Sequence, residues 1–239
     1  RTAEWKDGIV KKLNTGVGSL LRKSNVRVLA GSGTMIDGKT CRVVADGETQ
    51  EITAEHVVIA TGSEPVSLPG LPFGGRVISS TEALSLTAIP KSMVVVGGGY
   101  IGVELGTAFA KLGCRVTLLE ASSRLLPQYD SDLVRPVAET LKALGIEILL
   151  GAKAEALGQD GAALSIVTSD SARRELAADF FLVTAGRRAR LEGWGCEQLD
   201  LQKTNSHLAI DSECRTSMRN VWAIGDVTGE PMLAHRAMA

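Results

Sequence analysis

The first apolar pattern along this chain has the period of a helix. Trp5, Ile9, Leu13, Val17 and Leu20 recur among lysines, which predicts an amphipathic helix over residues 3–22 with a stripe that packs on a core. Short β-type runs follow at 26–30, 40–45, 51–53 and 56–60. Between them, Asp37-Gly38 and Asp46-Gly47 predict hairpins, because both residue types tolerate the left-handed backbone of tight turns. The last run ends in Ala60-Thr61-Gly62-Ser63. A Pro- and Gly-rich stretch from Pro65 to Gly75 then leads to a short helix at 79–86, with Ser80 and Thr81 as candidate caps, and a domain boundary is expected near Pro90.

From 93 to 120 a continuous apolar run is followed by Gly97-Gly98-Gly99-Tyr100-Ile101-Gly102, a helical stretch and a second apolar run that ends in Glu120. Strand, glycine turn, helix and strand in this order read as a dinucleotide-binding βαβ unit, with a packing turn that binds nothing as the alternative. Gly97 lets the chain turn after the strand, Gly99 lets the backbone approach a pyrophosphate, and Gly102 lets the helix pack close. Glu120 ends the second strand, where a carboxylate accepts hydrogen bonds from ribose hydroxyls and repels a 2′-phosphate, so NAD is expected rather than NADP.

Beyond this unit the pattern predicts a helix at 130–144, capped by Asp130 or Ser131, and a strand at 146–150. A three-strand extension is expected at 153–157, 163–168 and 180–184. Ala185-Gly186-Arg187-Arg188 follows, and later the run Val221-Trp222-Ala223-Ile224-Gly225-Asp226, whose terminal carboxylate is placed to bind a polyol or ribose. Pro231 then opens a helix whose free amides face an electron-rich ligand atom. The fold class is α/β, a Rossmann-like doubly wound parallel sheet with an antiparallel β extension.

Composition narrows the function classes. The 239 residues, 44% hydrophobic with 26 glycines, bury one large or two modest cores. A net charge of −1 with scattered basic residues argues against nucleic acid and anionic membrane partners. The apolar runs are too short to span a bilayer. Cys41, Cys114, Cys196 and Cys214 stand singly, so no zinc or other metal site and no local redox pair are expected, and a reducing, cytoplasmic location fits. The chain starts at Arg1 without methionine and stops at Ala239 inside an expected helix, so it reads as an internal fragment.

Four separated motifs together carry a family resemblance. Gly97-Gly98-Gly99-Tyr100-Ile101-Gly102-Val103-Glu104, Ala60-Thr61-Gly62, Ala185-Gly186-Arg187 and Ala223-Ile224-Gly225-Asp226 resemble the pyridine nucleotide-disulfide oxidoreductases, over essentially the whole chain. Arg124-Leu125-Leu126-Pro127 and the stretch from Met232 to Ala239 resemble the dihydrolipoyl dehydrogenase subfamily in particular. The resemblance implies two cofactors, NAD and FAD. It implies an NAD site at Gly97, Gly98, Gly99, Tyr100, Ile101, Gly102, Glu120, Ala185, Gly186 and Arg187, with Ala154 beside the adenine. Glu104 resembles a carboxylate near the nicotinamide that pairs with a lysine beside the flavin, in a supporting role. Tyr100 matches a gating aromatic, with a plain packing ring as the alternative. Gly33, Ala60, Thr61 and Gly62 resemble FAD contacts, Asp226 a ribitol ligand, and Met232, Leu233 and Ala234 backbone amides beside the flavin ring.

The domains implied are 1–89, part of an FAD domain; 90–215, a complete NAD domain; and 216–239, a returning FAD segment. The implied whole-protein activity is oxidation of protein-bound dihydrolipoamide through a disulfide and FAD to NAD. The implied partners are the lipoyl domains of a 2-oxo acid dehydrogenase complex, and the full-length form is a homodimer. The family's amino-terminal FAD fingerprint, Cys-x-x-x-x-Cys and carboxy-terminal His-Glu pair are not in these residues. The chain alone is therefore expected to bind NAD weakly, hold FAD poorly and not turn over. Related flavoproteins (NADH oxidase, peroxidase, soluble transhydrogenase) and a non-catalytic nucleotide-binding module are the alternatives.

Overall fold

The computed structural model describes residues 2–238; Arg1 and Ala239, on which the reading of cut ends partly rests, lie outside the described residues. In chain order the elements begin with α1 (Thr2–Lys23), β1 (Ser32–Met35), β2 (Thr40–Ala45), β3 (Glu48–Thr53), β4 (Val57–Ile59) and β5 (Ser63–Pro65). Next come β6 (Val77–Ile78), α2 (Ser80–Leu84), β7 (Ser92–Val96), α3 (Tyr100–Lys111), β8 (Arg115–Glu120), α4 (Ser131–Ala143) and β9 (Glu147–Leu150). The chain continues with β10 (Lys153–Leu157), β11 (Ala163–Val167), β12 (Arg173–Ala177), β13 (Phe180–Val183) and β14 (Arg187–Ala189). It closes with β15 (Val221–Ala223) and α5 (Ala234–Met238). Two compact units result, one of residues 2–64 with 187–238 and one of 65–186.

The unit of residues 65–186 is built on a five-stranded parallel sheet in the order β6-β13-β7-β8-β9. Of its central strands, β13 is apolar at every position and β7 at all but its first, because both faces are covered. Met93, Val95, Val116, Leu118 and Leu182 point into a core shared with Val103 and Phe109 of α3 and Val134 and Leu141 of α4. Val94, Val96, Leu119, Phe181 and Val183 point into a second core with Leu164 and Ile166. That second face is covered by the antiparallel sheet β10-β11-β12 rather than by helices.

One expected strand changes sheets. Residues 180–184 were expected as the third strand of the antiparallel extension, but β13 enters the parallel sheet between β6 and β7, and Arg173–Ala177 takes the place in the extension. The physical difference is readable in the residues: Phe180-Phe181-Leu182-Val183 is an unbroken apolar run suited to burial on two faces, whereas Arg173-Arg174-Glu175 suits an exposed edge. The pairing of β6 with β13 also draws residues 65–89 into this unit.

The cap of α2 is Ser79, not Ser80 or Thr81. The Ser79 hydroxyl accepts from the Thr81 N–H at 3.1 Å, and the Glu82 carboxylate accepts from the Ser79 N–H at 2.8 Å and from its hydroxyl at 2.6 Å. Asp130 caps α4 by accepting from the Asp132 N–H at 2.8 Å. The Ser79 hydroxyl and then its backbone N–H hold the Glu82 carboxyl below its ordinary value of 4.5. A depressed folded-state value stabilises above the unfolded value and is lost as pH falls through the folded one. Ser79→Ala is expected to cost about 1 kcal/mol by urea denaturation at pH 7, and the gap to wild type should narrow below pH 4.5.

In the other unit, β1-β2-β3 form an antiparallel sheet, β4 and β15 pair in parallel, and β5 pairs with β14. Both expected hairpins form; Asp46 (φ 51°) and Gly47 (φ 81°) make the second turn between Ala45 and Glu48. The strand expected at 26–30 is instead β1, six residues later, because the strand that pairs with β2 must directly flank the Asp37-Gly38 turn. Met35, Ile59, Trp194, Cys196, Leu208, Val221 and Val227 form the core. The apolar stripe of α1, expected to pack, is exposed: Trp5, Leu13 and Leu20 retain 70%, 63% and 64% of their accessible surface.

Candidate functional site

In the 65–186 unit the site is assembled at the end of β7, where the chain must reverse into α3 in a single turn. Gly97 has φ +117°, outside the range of L side chains, and a Cβ there would lie 2.5 Å from the Thr184 carbonyl oxygen. A Cβ on Gly102 would lie 2.0 Å from the Gly97 carbonyl oxygen, so α3 is seated directly on the turn. Gly99 is different: it caps α3 without a side-chain hydrogen bond, and a Cβ there would meet nothing within 4 Å. Open space thus faces an uncapped helix N-terminus, an arrangement that favours a diphosphate. Thr184 completes the seat by donating its hydroxyl to the Val96 and Gly97 carbonyls at 3.2 and 3.0 Å, a part the sequence did not reveal.

Glu120 lies beside this turn and is already engaged. Its Oε2 accepts from the Gly98 N–H, and its Oε1 from the Ser122 N–H and hydroxyl, each at 2.7 Å. A carboxylate offers about four acceptor directions, so about one remains for a ribose hydroxyl. Ser122 was not among the sequence candidates, since it contributes through Glu120. Tyr100 and Glu104 line a shallow cleft of about 280 Å³ with Val103, Leu126, Tyr129 and Leu133. Tyr100 packs against the helix-side core, and the Glu104 carboxylate is exposed. Ile101 is half-buried in the first turn of α3, and Ala154 on β10 packs against the second core. Ala185 and Gly186 follow β13 in this unit, whereas Arg187 opens β14 in the other unit.

The remaining expected residues fall in the 2–64 and 187–238 unit. Gly33 is exposed on β1. Ala60, Thr61 and Gly62 follow β4, with the Thr61 hydroxyl donating to the Arg190 carbonyl at 3.1 Å and the Gly62 carbonyl accepting from the Arg190 N–H at 2.9 Å. Asp226 follows β15 in a 3₁₀ turn, and its Oδ2 accepts from the Ser63 hydroxyl at 2.5 Å. Ser63 in turn accepts from Arg187 Nε at 2.7 Å. The helix expected to open at Pro231 begins at Ala234. Of the amides expected to be free, that of Met232 donates to the Glu230 carboxylate at 3.0 Å and that of Leu233 to the Pro231 carbonyl at 2.9 Å.

Cys114 and Cys196 are buried and free, and Cys41 and Cys214 are partly exposed and free. Burial, with Asp179 adding and Arg115 opposing, pushes the Cys114 thiol up to about 11, and burial also raises Cys196. Neither is poised as a thiolate nucleophile. Among the described residues no group of three or more His, Cys, Asp or Glu side chains is placed to hold a metal ion, and no helix is long and apolar enough to cross a membrane.

A family model described as pyridine nucleotide-disulphide oxidoreductase matches residues 1–239. A dihydrolipoyl dehydrogenase of Pseudomonas aeruginosa is 52% identical over 240 residues, covering 100% of this chain and 51% of its own length. One from Geobacillus stearothermophilus is 40% identical over 240 residues, covering 99% and 51%. Among solved structures, the HOCl-induced flavoprotein disulfide reductase RclA from Escherichia coli gives a TM-score of 0.88 at 30% identity, covering 100% of this chain and 54% of that one. The chain thus spans about half the length of the curated relatives it matches.

Proposed function

The chain belongs to the pyridine nucleotide-disulphide oxidoreductase family, and we propose that it is the NAD- and FAD-binding portion of a dihydrolipoyl dehydrogenase. In this reading residues 65–186 bind NAD, and residues 2–64 with 187–238 contribute part of an FAD site. The observation that carries it is the turn at Gly97–Gly99, where open space over Gly99 meets the N-terminus of α3 beside the Glu120 carboxylate. These residues fit a dinucleotide: a side chain at any of the three contact positions would either clash or fill the cradle. When bound, NAD and FAD supply the hydride acceptor and the electron carrier for oxidation of dihydrolipoamide.

The residues of this chain bind, orient and select. The first-turn amides of α3 face the diphosphate, whose charge the helix terminus favours. Glu120, held by Gly98 and Ser122, offers its remaining acceptor direction to a ribose hydroxyl and repels a 2′-phosphate. Glu104 and Tyr100 stand on the first turns of α3 and flank the nicotinamide end. Asp226 takes hydroxyls of the flavin ribitol, with Gly33 and residues 60–62 along the same cofactor. The partners in this reading are lipoyl domains of a 2-oxo acid dehydrogenase complex and a second copy of the full-length protein.

Calorimetric titration with NADH and NADPH tests the dinucleotide half. Wild type should bind NADH at least about tenfold more tightly, because a carboxylate opposes the extra phosphate. Glu120→Gln keeps an acceptor for the Gly98 N–H but removes the charge, and should erase most of that preference. Equal affinity for the two nucleotides in wild type, or no binding of either, would defeat the reading.

A further inference from the structure

The Asp226 carboxylate is held from one side only, and the residues that hold it come from distant parts of the chain. Pairing of β5 with β14 brings Ser63 to Arg187, and the turn after β15 brings Asp226 to Ser63. A guanidinium has donors only, so the Ser63 hydroxyl accepts from Arg187 Nε at 2.7 Å. That hydroxyl has one proton, and an ionised carboxylate accepts only, so the proton points to Asp226 Oδ2 at 2.5 Å. Arg187 Nη2 also donates to the Ser63 carbonyl at 2.9 Å, so the guanidinium grips residue 63 at two atoms. All three side chains are half-buried. Oδ1 of Asp226 receives no hydrogen bond from the described residues.

We propose that Arg187 and Ser63 are positioning residues that fix Asp226 to receive a polyol, the ribityl chain of the flavin, and that Arg187 is not part of the dinucleotide site. This rests on the reading of Asp226 given above. The direction of the hydrogen bonds is forced: a cation orients a hydroxyl, and the hydroxyl pins one carboxylate oxygen so that the other keeps a constant direction. Arg187 compensates the charge of Asp226 without touching it. Removing the Ser63 hydroxyl leaves Asp226 free to rotate and the Arg187 Nε–H without its acceptor.

The test measures FAD affinity by flavin fluorescence and NADH affinity by calorimetry, on the full chain as it is naturally expressed. Ser63→Ala and Arg187→Met should each weaken FAD by about tenfold, the factor for one charge-assisted hydrogen bond. NADH affinity should stay within about twofold, because the two sites share no partner. The double variant should be no weaker than either single one, since both cut the same chain of bonds. Ser63→Thr, which keeps the hydroxyl, should restore FAD binding. If Ser63→Ala does not fold, Arg187→Lys replaces it: lysine keeps the charge but lacks the fork, and unchanged FAD affinity would overturn the proposal. Loss of NADH rather than FAD binding in Arg187→Met, or additive losses in the double variant, would also overturn it. A wild type that takes up no flavin would instead refute the flavin reading itself.

Discussion

Gly102→Ala should destabilise the 65–186 unit by about 3 kcal/mol and remove measurable NADH binding, because a methyl group there overlaps backbone that cannot give way. The new Cβ would lie 2.0 Å from the Gly97 carbonyl oxygen and 2.7 Å from the Thr184 hydroxyl. Relief requires α3 to lift off the turn, which moves its N-terminal amides from the diphosphate position. The measurement can be confined to one unit. Trp5, Trp194 and Trp222 all lie in the unit of residues 2–64 and 187–238, so tryptophan fluorescence reports on that unit, whereas circular dichroism reports on both. The variant should shift the dichroism transition and leave the fluorescence transition in place. An unshifted dichroism transition with normal NADH affinity would show that the helix is not seated as described.

Phe181→Ala should cost about 3–5 kcal/mol in the same unit, the usual range for deleting a fully buried phenyl group. Phe181 is 0% exposed and sits on β13 between β6 and β7, facing the core closed by the antiparallel sheet. Leu118→Ala, on the helix-side face, should cost about 2–5 kcal/mol. The pair tests whether the sheet is packed on both faces. If residues 180–183 lay in the edge of the antiparallel extension, Phe181→Ala would cost little while Leu118→Ala would still be severe. Urea denaturation followed by circular dichroism distinguishes these outcomes.

The parts of the molecule that were legible in the sequence are those set by local chemistry. The glycine turn could be read because its spacing between strand and helix is local, although Gly97 and Gly102 also meet Thr184 and Gly98 meets Glu120 and Leu125. The Asp46-Gly47 hairpin was legible for the same reason. The position of β13 was harder to read, since a strand's sheet is set by its partners; the unbroken apolar run at 180–183 and the charges at 173–175 were the signals that separated buried strand from edge. Ser79 was missed as a cap because three consecutive residues, Ser79, Ser80 and Thr81, all have capping side chains. Glu82, three positions after Ser79, was the available signal of a capping box. The Arg187–Ser63–Asp226 chain had no local signature, because its bonds join residues 124 and 163 positions apart.

The path of the chain at the edge of the 65–186 unit has a consequence for how such a protein can be cut and rejoined. The Val66 N–H donates to the Gly186 carbonyl at 3.1 Å, so the entry and the exit of this unit are tied to each other. A segment whose ends meet behaves as a cassette, which can be excised, expressed by itself or spliced into a permissive loop of another scaffold without stretching its host.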